Sequence, residues 1–312
     1  MRPILVTGIN RSGTTWVGQT LARAPDVALI YEPFSPNHRR GVFRQATPEW
    51  FTYVRGDPSG RLAADLRRTL AFRYSYAAEL PRIRSPRDAA RMVRDAARFA
   101  RWRRKRRRPL VKDPIAVLAA PWLARELGMQ VVVTIRHPAA YASSMRRLGW
   151  THDFSGFLRQ PGLVDELVPG LRGDIEEMAR RPGDILDQAT LLWNVIHTVV
   201  GAYRREHSDW TFVRHEDLSA APAAGFRDLC SRLGVEFTAG VERYVAQTTG
   251  SGNPAEAGAG VVHQLRRDSG AAARTWHERL TPDEVARIRS RTEAVASAFY
   301  TDDDWSGPCS QI

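Results

Sequence analysis

Short apolar runs alternate with amphipathic stretches along this chain, and turn residues separate them. Uninterrupted apolar runs predict buried strands at residues 4–6, 27–31, 110–111, 130–135 and 211–214. The run at 130–135, QVVVTI, is β-branched and flanked by turn signals. We therefore expect this strand to be central in a parallel sheet.

Longer stretches with apolar residues at helical spacing predict helices between the strands. They cover residues 14–24, 86–108, 121–127, 185–205 and 223–233, and a further helix begins near Ala139. Thr281 and Glu284 match a capping box that starts a final helix. Because strands and helices alternate, the pattern predicts an α/β fold with a central parallel sheet and helices on both faces. We expect one domain over residues 1–312.

The first strand leads into a loop whose glycine spacing indicates a phosphate site. Residues 4–16 read ILVTGINRSGTTW, so Gly8 and Gly13 are separated by four residues, and a helix is expected to begin at Thr14. Glycines let the backbone approach an anion closely, and the N–H groups and dipole of a helix N-terminus favour negative charge. An ordinary strand-turn-helix corner is the structural alternative.

The loop differs from the P-loop of nucleoside triphosphatases at one informative position. That loop has Lys after its last glycine, where this chain has Thr14. Because the Lys normally reaches the β- and γ-phosphates, its absence argues against triphosphate hydrolysis. Arg11, inside the loop, can supply positive charge from another direction.

Polar side chains follow three further predicted strands. Glu32 ends the second strand, Lys112 and Asp113 end the third, and Arg136 ends the fourth, with Ser144 on the helix that follows. In open α/β sheets, ligands bind outside the carboxyl ends of the strands. We therefore expect these side chains to lie around the phosphate loop.

Composition narrows the class of protein. The 312 residues have an ordinary apolar fraction of 43%, enough for a substantial core. Cys230 and Cys309 offer neither a disulfide framework nor a metal-ligand spacing and fit a reducing compartment. No apolar run approaches the ~18 residues of a transmembrane segment, and Met1 leads directly into the first strand without a signal peptide. We therefore expect a cytoplasmic protein without a metal.

The net charge of +12 favours anionic partners, a phosphorylated cofactor among them. Residues 101–108 form a basic run around Trp102 at the end of a predicted helix. Such a run could bind nucleic acid or another anionic polymer, but it is more often a solvated surface. No recognised nucleic-acid module accompanies it, so we expect no specific nucleic-acid partner.

Several motifs together resemble the superfamily of sulfotransferases that use 3′-phosphoadenosine 5′-phosphosulfate (PAPS). They are RSGTTW, PDV with YEPF, VKDP, TIRHP with a following SS, and VRHEDL, and they span nearly the whole chain. The resemblance is closest to tyrosylprotein and bacterial sulfotransferases. It implies a P-loop-like phosphosulfate-binding loop in an α/β fold, PAPS as co-substrate and no metal.

The resemblance also implies a role for each matching residue. The 5′-phosphosulfate would bind to the loop and the first turn of the helix, at Arg11, Ser12, Gly13, Thr14, Thr15 and Trp16. The 3′-phosphate would bind to Arg136 and Ser144. Arg267 and Ser269 would replace the Arg-Lys-Gly motif with which other members close the site, since this chain lacks that motif.

The resemblance to the tyrosylprotein branch implies which groups are catalytic. Its general base is a Glu after the second strand, here Glu32, and Lys112 and Arg11 would stabilise the transferring sulfuryl group. Asp113 is the rival base, because it occupies the place near which the small-molecule branch has its catalytic His. His137 is expected to form local hydrogen bonds rather than to act in catalysis.

The implied reaction is in-line transfer of a sulfuryl group from PAPS to an acceptor hydroxyl, releasing 3′,5′-ADP. A small-molecule kinase and a non-enzymatic binder of anionic polymers are the alternatives. The acceptor remains open among small molecules, glycans, lipids and peptides, as does the oligomeric state. Aromatic residues within 37–85 are expected mainly to pack over the sheet, with an acceptor-binding wall as the alternative. Residues 248–269 are expected to form a mobile lid.

Overall fold

The computed structural model describes residues 1–45, 47, 49–256 and 264–306. Its centre is a five-stranded, wholly parallel sheet with the strand order β2-β3-β1-β4-β5. The strands are β1 (Ile4–Gly8), β2 (Val27–Tyr31), β3 (Arg108–Lys112), β4 (Gln130–Ile135) and β5 (Thr211–Arg214). The predicted α/β fold with a parallel sheet is confirmed.

Helices connect the strands and follow the sheet. They are α1 (Thr14–Leu21), α2 (Arg61–Leu70), α3 (Tyr76–Glu79), α4 (Pro86–Arg104), α5 (Ala120–Leu127), α6 (Pro138–Leu148), α7 (Ser155–Leu158), α8 (Leu163–Leu167), α9 (Arg172–Arg180), α10 (Ile185–Glu206), α11 (His215–Ala220), α12 (Pro222–Leu233), α13 (Ala239–Thr249), α14 (Ser269–Arg274), α15 (Trp276–Arg279) and α16 (Pro282–Ala296). Short 3₁₀ helices cover Leu80–Arg82, Pro114–Ala119, Pro169–Leu171 and Asp302–Trp305. The predicted capping box at Thr281 is present at the start of α16.

Strand alternation divides the core between the two faces of the sheet. On one face, Leu5 and Val133 pack with α6 and α10, where Trp193 is fully buried. On the other face, Ile4 and Val132 pack with α1, α12 and α13. Helices therefore cover both faces, as the alternating pattern predicted.

The middle of the sheet is β1 rather than β4. β4 pairs with β1 on one side and β5 on the other, so it is interior, but only β5 separates it from the edge. The expectation that residues 130–135 form the central strand is therefore corrected. An apolar β-branched run indicates that both faces of a strand are buried. Every interior strand of a parallel sheet is buried in this way, so the run does not distinguish the middle strand from its interior neighbours.

The basic run at residues 101–108 does not belong to one helix. α4 ends at Arg104, and Arg108 lies in β3. Arg108 is buried and donates hydrogen bonds to the carbonyl oxygens of Arg2 and Leu233, at 2.7 Å each. An arginine can occupy a strand in this way because backbone carbonyls satisfy its guanidinium group.

Candidate active site

A tight loop between β1 and α1 forms the floor of a cleft at the carboxyl edge of the sheet. Gly8 has φ +149° and Gly13 has φ +96°, so both lie where side chains are disfavoured. A Cβ atom on Gly8 would lie 2.3 Å from the carbonyl oxygen of Thr134, and one on Gly13 would lie 2.7 Å from Cδ2 of His215. Both glycines are therefore required for the path of the loop.

Hydrogen bonds from neighbouring elements hold the loop in place. The Ser12 hydroxyl lies 2.5 Å from the carbonyl oxygen of Ile9 and 2.6 Å from Oγ1 of Thr134. Arg136 donates from Nη1 to the carbonyl oxygen of Arg11, at 2.6 Å. The side chain of Ser12 therefore shapes the loop, and it is not among the residues that line the cleft. Its contact with a cofactor stays a prediction.

The first turn of α1 faces the cleft directly after the loop. Thr14 and Thr15 line the cleft, and Trp16 lines it at one edge. The Trp16 ring also packs edge-on against His215 and Phe226, with centroids 5.8 and 5.0 Å away. Helix N–H groups and two hydroxyls are thus directed at the same space, which suits an anion.

Three arginines, of which Arg136 is buried and the other two are partly buried, lie around this floor. Arg11, Arg136 and Arg267 all line the cleft. Burial and the neighbouring arginines together lower the pKa of Arg11 to about 9 and that of Arg267 to about 10. Nε of Arg136 is buried without a hydrogen-bond partner among the described residues. A cluster of this kind is stabilised when a multiply charged anion binds to it.

The C-terminal part of the chain closes the cleft from the side of β5. Arg267 and Ser269 both line the cleft, as their predicted role requires. Ser269 donates a hydrogen bond to the carbonyl oxygen of Ser219, at 3.0 Å, and Arg267 donates to that of Ala255, at 2.7 Å. Residues 257–263 of the predicted lid lie outside the described residues, so the lid stays a prediction.

The predicted phosphate ligands Arg11 and Ser144 contact each other. Nε of Arg11 donates to the Ser144 hydroxyl, at 3.1 Å. Ser144 is buried on α6 and is not among the residues that line the cleft, so its contact with the 3′-phosphate stays a prediction. This side chain therefore orients Arg11 in the structure.

Glu32 and Lys112 meet at the opposite end of the cleft. Nζ of Lys112 forms an ion pair with Oε1 of Glu32 and lies 3.8 Å from the centroid of the Tyr31 ring. Only 1% of the Lys112 side chain is exposed, compared with 28% of Glu32. Glu32 has φ +43°, a conformation that non-glycine residues rarely adopt, and its N–H donates to the carbonyl oxygen of Lys112. The strained backbone thus turns the carboxylate into the cleft.

Asp113 faces away from the cleft. It is fully buried, and it accepts hydrogen bonds from the backbone N–H groups of Phe34, at 2.6 Å, and Ile115, at 3.2 Å. Burial raises the pKa of this carboxyl group to about 7. Although that pKa would suit a general base, the carboxylate caps the 3₁₀ helix and is enclosed, so the geometry favours Glu32.

His137 packs in an aromatic cage instead of forming the expected local hydrogen bonds. Its ring stacks on Trp276 at 5.0 Å and lies edge-on to Tyr300 and Trp305. Neither ring nitrogen has a hydrogen-bond partner among the described residues. Burial lowers the pKa of His137 to about 3, so the ring is neutral. The expectation of a hydrogen-bonding role for its side chain is wrong.

The lining of the cleft also includes Trp150, His215 and Ser219, to which the sequence assigned no role. Trp50 lines it too and belongs to the aromatic residues within 37–85 for which an acceptor-binding wall was the alternative. His215 follows β5 within the VRHEDL motif, so its place at a strand end was the available signal. Its pKa is lowered by burial and by Arg136, Arg267 and Arg11. Trp50 and Trp150 lie in loops, and no periodic pattern predicts which loop residues reach a cleft.

Fold and cleft together define an α/β protein in which a glycine loop at a helix N-terminus and an ion-paired carboxylate lie at the same sheet edge. A family model described as "Sulfotransferase family" matches residues 3–239. The chain belongs to the sulfotransferase family, and it is an enzyme that transfers sulfuryl groups. No curated protein sequence matches the chain significantly.

Three solved structures to which the chain is similar are described as sulfotransferases. The sulfotransferase domain of the Synechococcus PCC 7002 olefin synthase has a TM-score of 0.52 and 18% identity, with 97% of this chain and 95% of that chain covered. The sulfotransferase domain from the curacin biosynthetic pathway has a TM-score of 0.46 and 14% identity, covering 94% and 98%. Sulfotransferase STF9 from Mycobacterium avium has a TM-score of 0.45 and 14% identity, covering 96% and 77%. At 18% identity, the resemblance to the olefin synthase domain shows a similar fold alone.

Two features are absent from the described residues. No helix among them is long and apolar enough to cross a membrane. Over the same ranges, no group of His, Cys, Asp and Glu side chains has the arrangement of a metal site.

Proposed function

We propose that this sulfotransferase takes its sulfuryl group from PAPS and transfers it to an acceptor hydroxyl, releasing 3′,5′-ADP. One observation carries the proposal: the Glu32–Lys112 ion pair and the phosphate loop with Arg11 open into the same cleft. The loop without a P-loop Lys fits a donor that has no γ-phosphate. PAPS supplies an activated sulfur bound to a phosphate leaving group.

Different residues of the cleft would bind the two anionic groups of PAPS. Arg11, Thr14 and Thr15 would hold the 5′-phosphosulfate, with the N–H groups at the start of α1. Arg136 and Arg267, on the β4 and β5 side, would hold the 3′-phosphate. The unpartnered Nε of Arg136 supports this assignment, because an anion would give it a partner.

Glu32 would act as the general base. Its carboxylate faces the cleft at the end of β2 and can accept the proton of the acceptor hydroxyl as the oxygen attacks sulfur. Lys112 would move from Glu32 toward the sulfuryl oxygens as negative charge develops there. Because its ammonium group is buried, that electrostatic contribution is stronger than it would be in water.

The test is transfer of labelled sulfur from PAPS, together with calorimetric titration of 3′,5′-ADP, 5′-AMP and ATP with Mg²⁺. We expect 3′,5′-ADP to bind more tightly than 5′-AMP, since only 3′,5′-ADP carries the 3′-phosphate. We expect no ATP turnover, because Thr14 replaces the P-loop Lys. Preferential ATP binding with phosphoryl transfer would overturn the choice of donor.

A further inference from the structure

Nearly all of the net charge of the chain resides in one segment. Residues 82–107 contain twelve of the 46 basic residues and two of the 34 acidic ones, so they carry +10 of the net charge of +12. A general preference for arginine would spread the charge along the chain, whereas the rest of the chain is almost balanced. The positive charge is therefore a property of this segment.

The cations of this segment lie on the surface and are mostly unpaired. All of them except Arg98 and Arg107 are exposed. Among the described residues, Arg94 and Arg98 are the members of the segment that form ion pairs, both with Asp95. The other acidic residue, Asp88, accepts hydrogen bonds at the start of α4. We call the exposed side chains of residues 82–107 the basic surface.

Helix α4 holds one face in the core and turns the opposite face to solvent. On the inner face, Ala96 and Phe99 are buried, and the Phe99 ring lies edge-on to the rings of Phe72 and Tyr74. The outer face carries a stripe of exposed residues spaced three or four apart: Ala90, Arg94, Ala97, Arg101 and Arg104. Packing thus fixes the helix and leaves its cations free to contact an external partner.

Exposed apolar side chains lie beside these cations. After Met1, the most exposed large apolar side chains among the described residues are Val93, Leu80 and Tyr76, at 61, 54 and 53%. Val93 lies on α4, and the other two lie directly before the segment, in α3 and the 3₁₀ helix after it. Apolar side chains among arginines are typical of protein surfaces that contact the interface of a lipid bilayer.

One arginine ties these apolar side chains to α4. Arg39 forms ion pairs with Glu79, at 2.6 Å, and with Asp95, at 3.0 Å. Leu80 directly follows the first of these carboxylates in the sequence, and Val93 precedes the second by two residues. The apolar and the cationic groups therefore belong to one connected surface.

We propose that the basic surface docks this enzyme onto an anionic lipid bilayer, with Leu80 and Val93 inserted between the head groups. Guanidinium groups donate paired hydrogen bonds to phosphate, and every cation near an anionic bilayer adds to the affinity. A nucleic acid also offers phosphates, but it has no apolar layer to cover Leu80 and Val93, so the lipid surface is the better match.

The basic surface is separate from the active site. Among the described residues that line the cleft, none belongs to residues 82–107. The inference therefore adds a second binding surface and does not depend on the proposed donor.

The test is sedimentation of the full chain with vesicles of phosphatidylcholine alone and with phosphatidylglycerol added. We expect binding to the mixed vesicles only, and we expect it to weaken as ionic strength rises, because salt screens exposed charges. No binding to the mixed vesicles would overturn the proposal.

A triple variant locates the contact on α4. It removes three exposed cations that form no ion pair within the described part of the chain: Arg91→Gln, Arg101→Gln and Arg104→Gln. We expect partitioning onto the mixed vesicles to fall about a hundredfold. The matched control removes three exposed arginines on α2, α10 and α13, also without ion pairs to described residues: Arg61→Gln, Arg205→Gln and Arg243→Gln.

The two triple variants carry the same net charge, so their comparison separates this surface from total charge. The control should bind the mixed vesicles much as the wild type does, and both variants should unfold at the wild-type temperature. Equal losses of binding in the two variants would overturn the assignment to residues 82–107.

A double variant tests the apolar contact. Leu80→Ser with Val93→Ser should lower partitioning about tenfold and leave its salt dependence unchanged, because it removes apolar area but no charge. Unchanged binding would overturn the insertion of these side chains. If a DNA duplex binds and the mixed vesicles do not, and if the Arg91, Arg101 and Arg104 substitutions abolish that binding, the partner is a nucleic acid and the proposal is wrong.

Discussion

Lys112 and Glu32 form an ion pair between the carboxyl ends of two neighbouring strands. β2 and β3 pair with Tyr31 opposite Lys112, so the next residue, Glu32, is brought to the lysine by strand register. The lysine is almost completely buried and the glutamate is partly exposed, so the pair lies at the wall of the cleft. In the proposed reaction, this position would let Glu32 act on the acceptor hydroxyl and Lys112 on the sulfuryl group of the donor.

Lys112→Met should lower the rate of sulfuryl transfer by about 10²–10³. Methionine keeps the apolar stem that packs in the interior and removes only the charge. The measurement is single-turnover transfer from PAPS, with 3′,5′-ADP affinity as the control for donor binding. Lys112→Arg should not restore activity, because a Cβ on Gly18 would already lie 2.9 Å from Cγ of Lys112, and little room is available for a larger group. Full activity in Lys112→Met would show that Lys112 takes no part in sulfuryl transfer.

Glu32→Gln should leave the affinity for 3′,5′-ADP nearly intact and lower turnover by about 10²–10⁴. Glutamine retains the shape of the side chain but cannot accept the proton. Turnover and calorimetric affinity, measured on the same preparation, separate a loss of proton transfer from a loss of binding.

Asp113→Asn is the matched control for Glu32→Gln. Asparagine cannot accept both backbone hydrogen bonds with the strength of a carboxylate, so we expect unfolding free energy to fall by about 1–3 kcal/mol. The folded variant should keep its turnover. If Asp113→Asn is folded but inactive while Glu32→Gln is active, the two roles are reversed.

Arg136→Ala should weaken the binding of 3′,5′-ADP much more than the binding of 5′-AMP. The lost charge-assisted hydrogen bond to the 3′-phosphate should cost about 1.5–3 kcal/mol. Some loss for both nucleotides is also expected, because Arg136 donates to the carbonyl oxygen of Arg11 and so supports the loop. Lys105→Ala removes an exposed charge of the basic run and should change neither affinity. Equal losses for the two nucleotides in Arg136→Ala would contradict the assignment.

His137→Phe should make the protein less sensitive to acid. The folded pKa of His137 is lowered to about 3, mainly by burial, which the Asp304 carboxylate partly offsets, with a smaller lowering by Arg214. The unfolded chain therefore binds the extra proton first, and this contribution to stability, complete above pH 6.5, is lost as pH falls toward 3. Phenylalanine keeps the ring in its cage and does not titrate.

The measurement is urea unfolding from pH 7.5 to pH 4. One such group changes the unfolding free energy by at most about 1.4 kcal/mol per pH unit, so the wild type should lose stability faster than the variant below pH 6.5. If the unfolding free energies of the two proteins fall equally with pH, His137 is not the cause of the acid sensitivity. Buried His152, with its pKa lowered to about 4, should keep part of the acid sensitivity in both proteins.

Local patterns were sufficient for the strands and for the phosphate loop. The run QVVVTI forms β4 over the same six residues, and residues 27–31 form β2. These strands are short, apolar and bounded by turn residues, so local burial preferences determine them. Helix ends were less predictable: α1 ends at Leu21 instead of residue 24, since turn-forming residues compete with the last helical turn.

The sequence by itself determined which residues stand at strand ends. Arg11, Glu32, Lys112 and Arg136 each follow an apolar run, and parallel strands bring such residues to one edge. Local conformational preference acts over a few residues. The position at which a strand ends depends on such short-range preferences and not on contacts between distant segments.

Only the tertiary structure decided which of those side chains meet in the cleft and which are enclosed. Strand order places Glu32 beside Lys112 and turns the neighbouring Asp113 into a buried cap, although both carboxylates end strands in the sequence. It also brings Trp50 and Trp150 from separate loops to the same cleft. Pairing order, side-chain direction and burial depend on contacts between distant segments, and no local pattern contains that information.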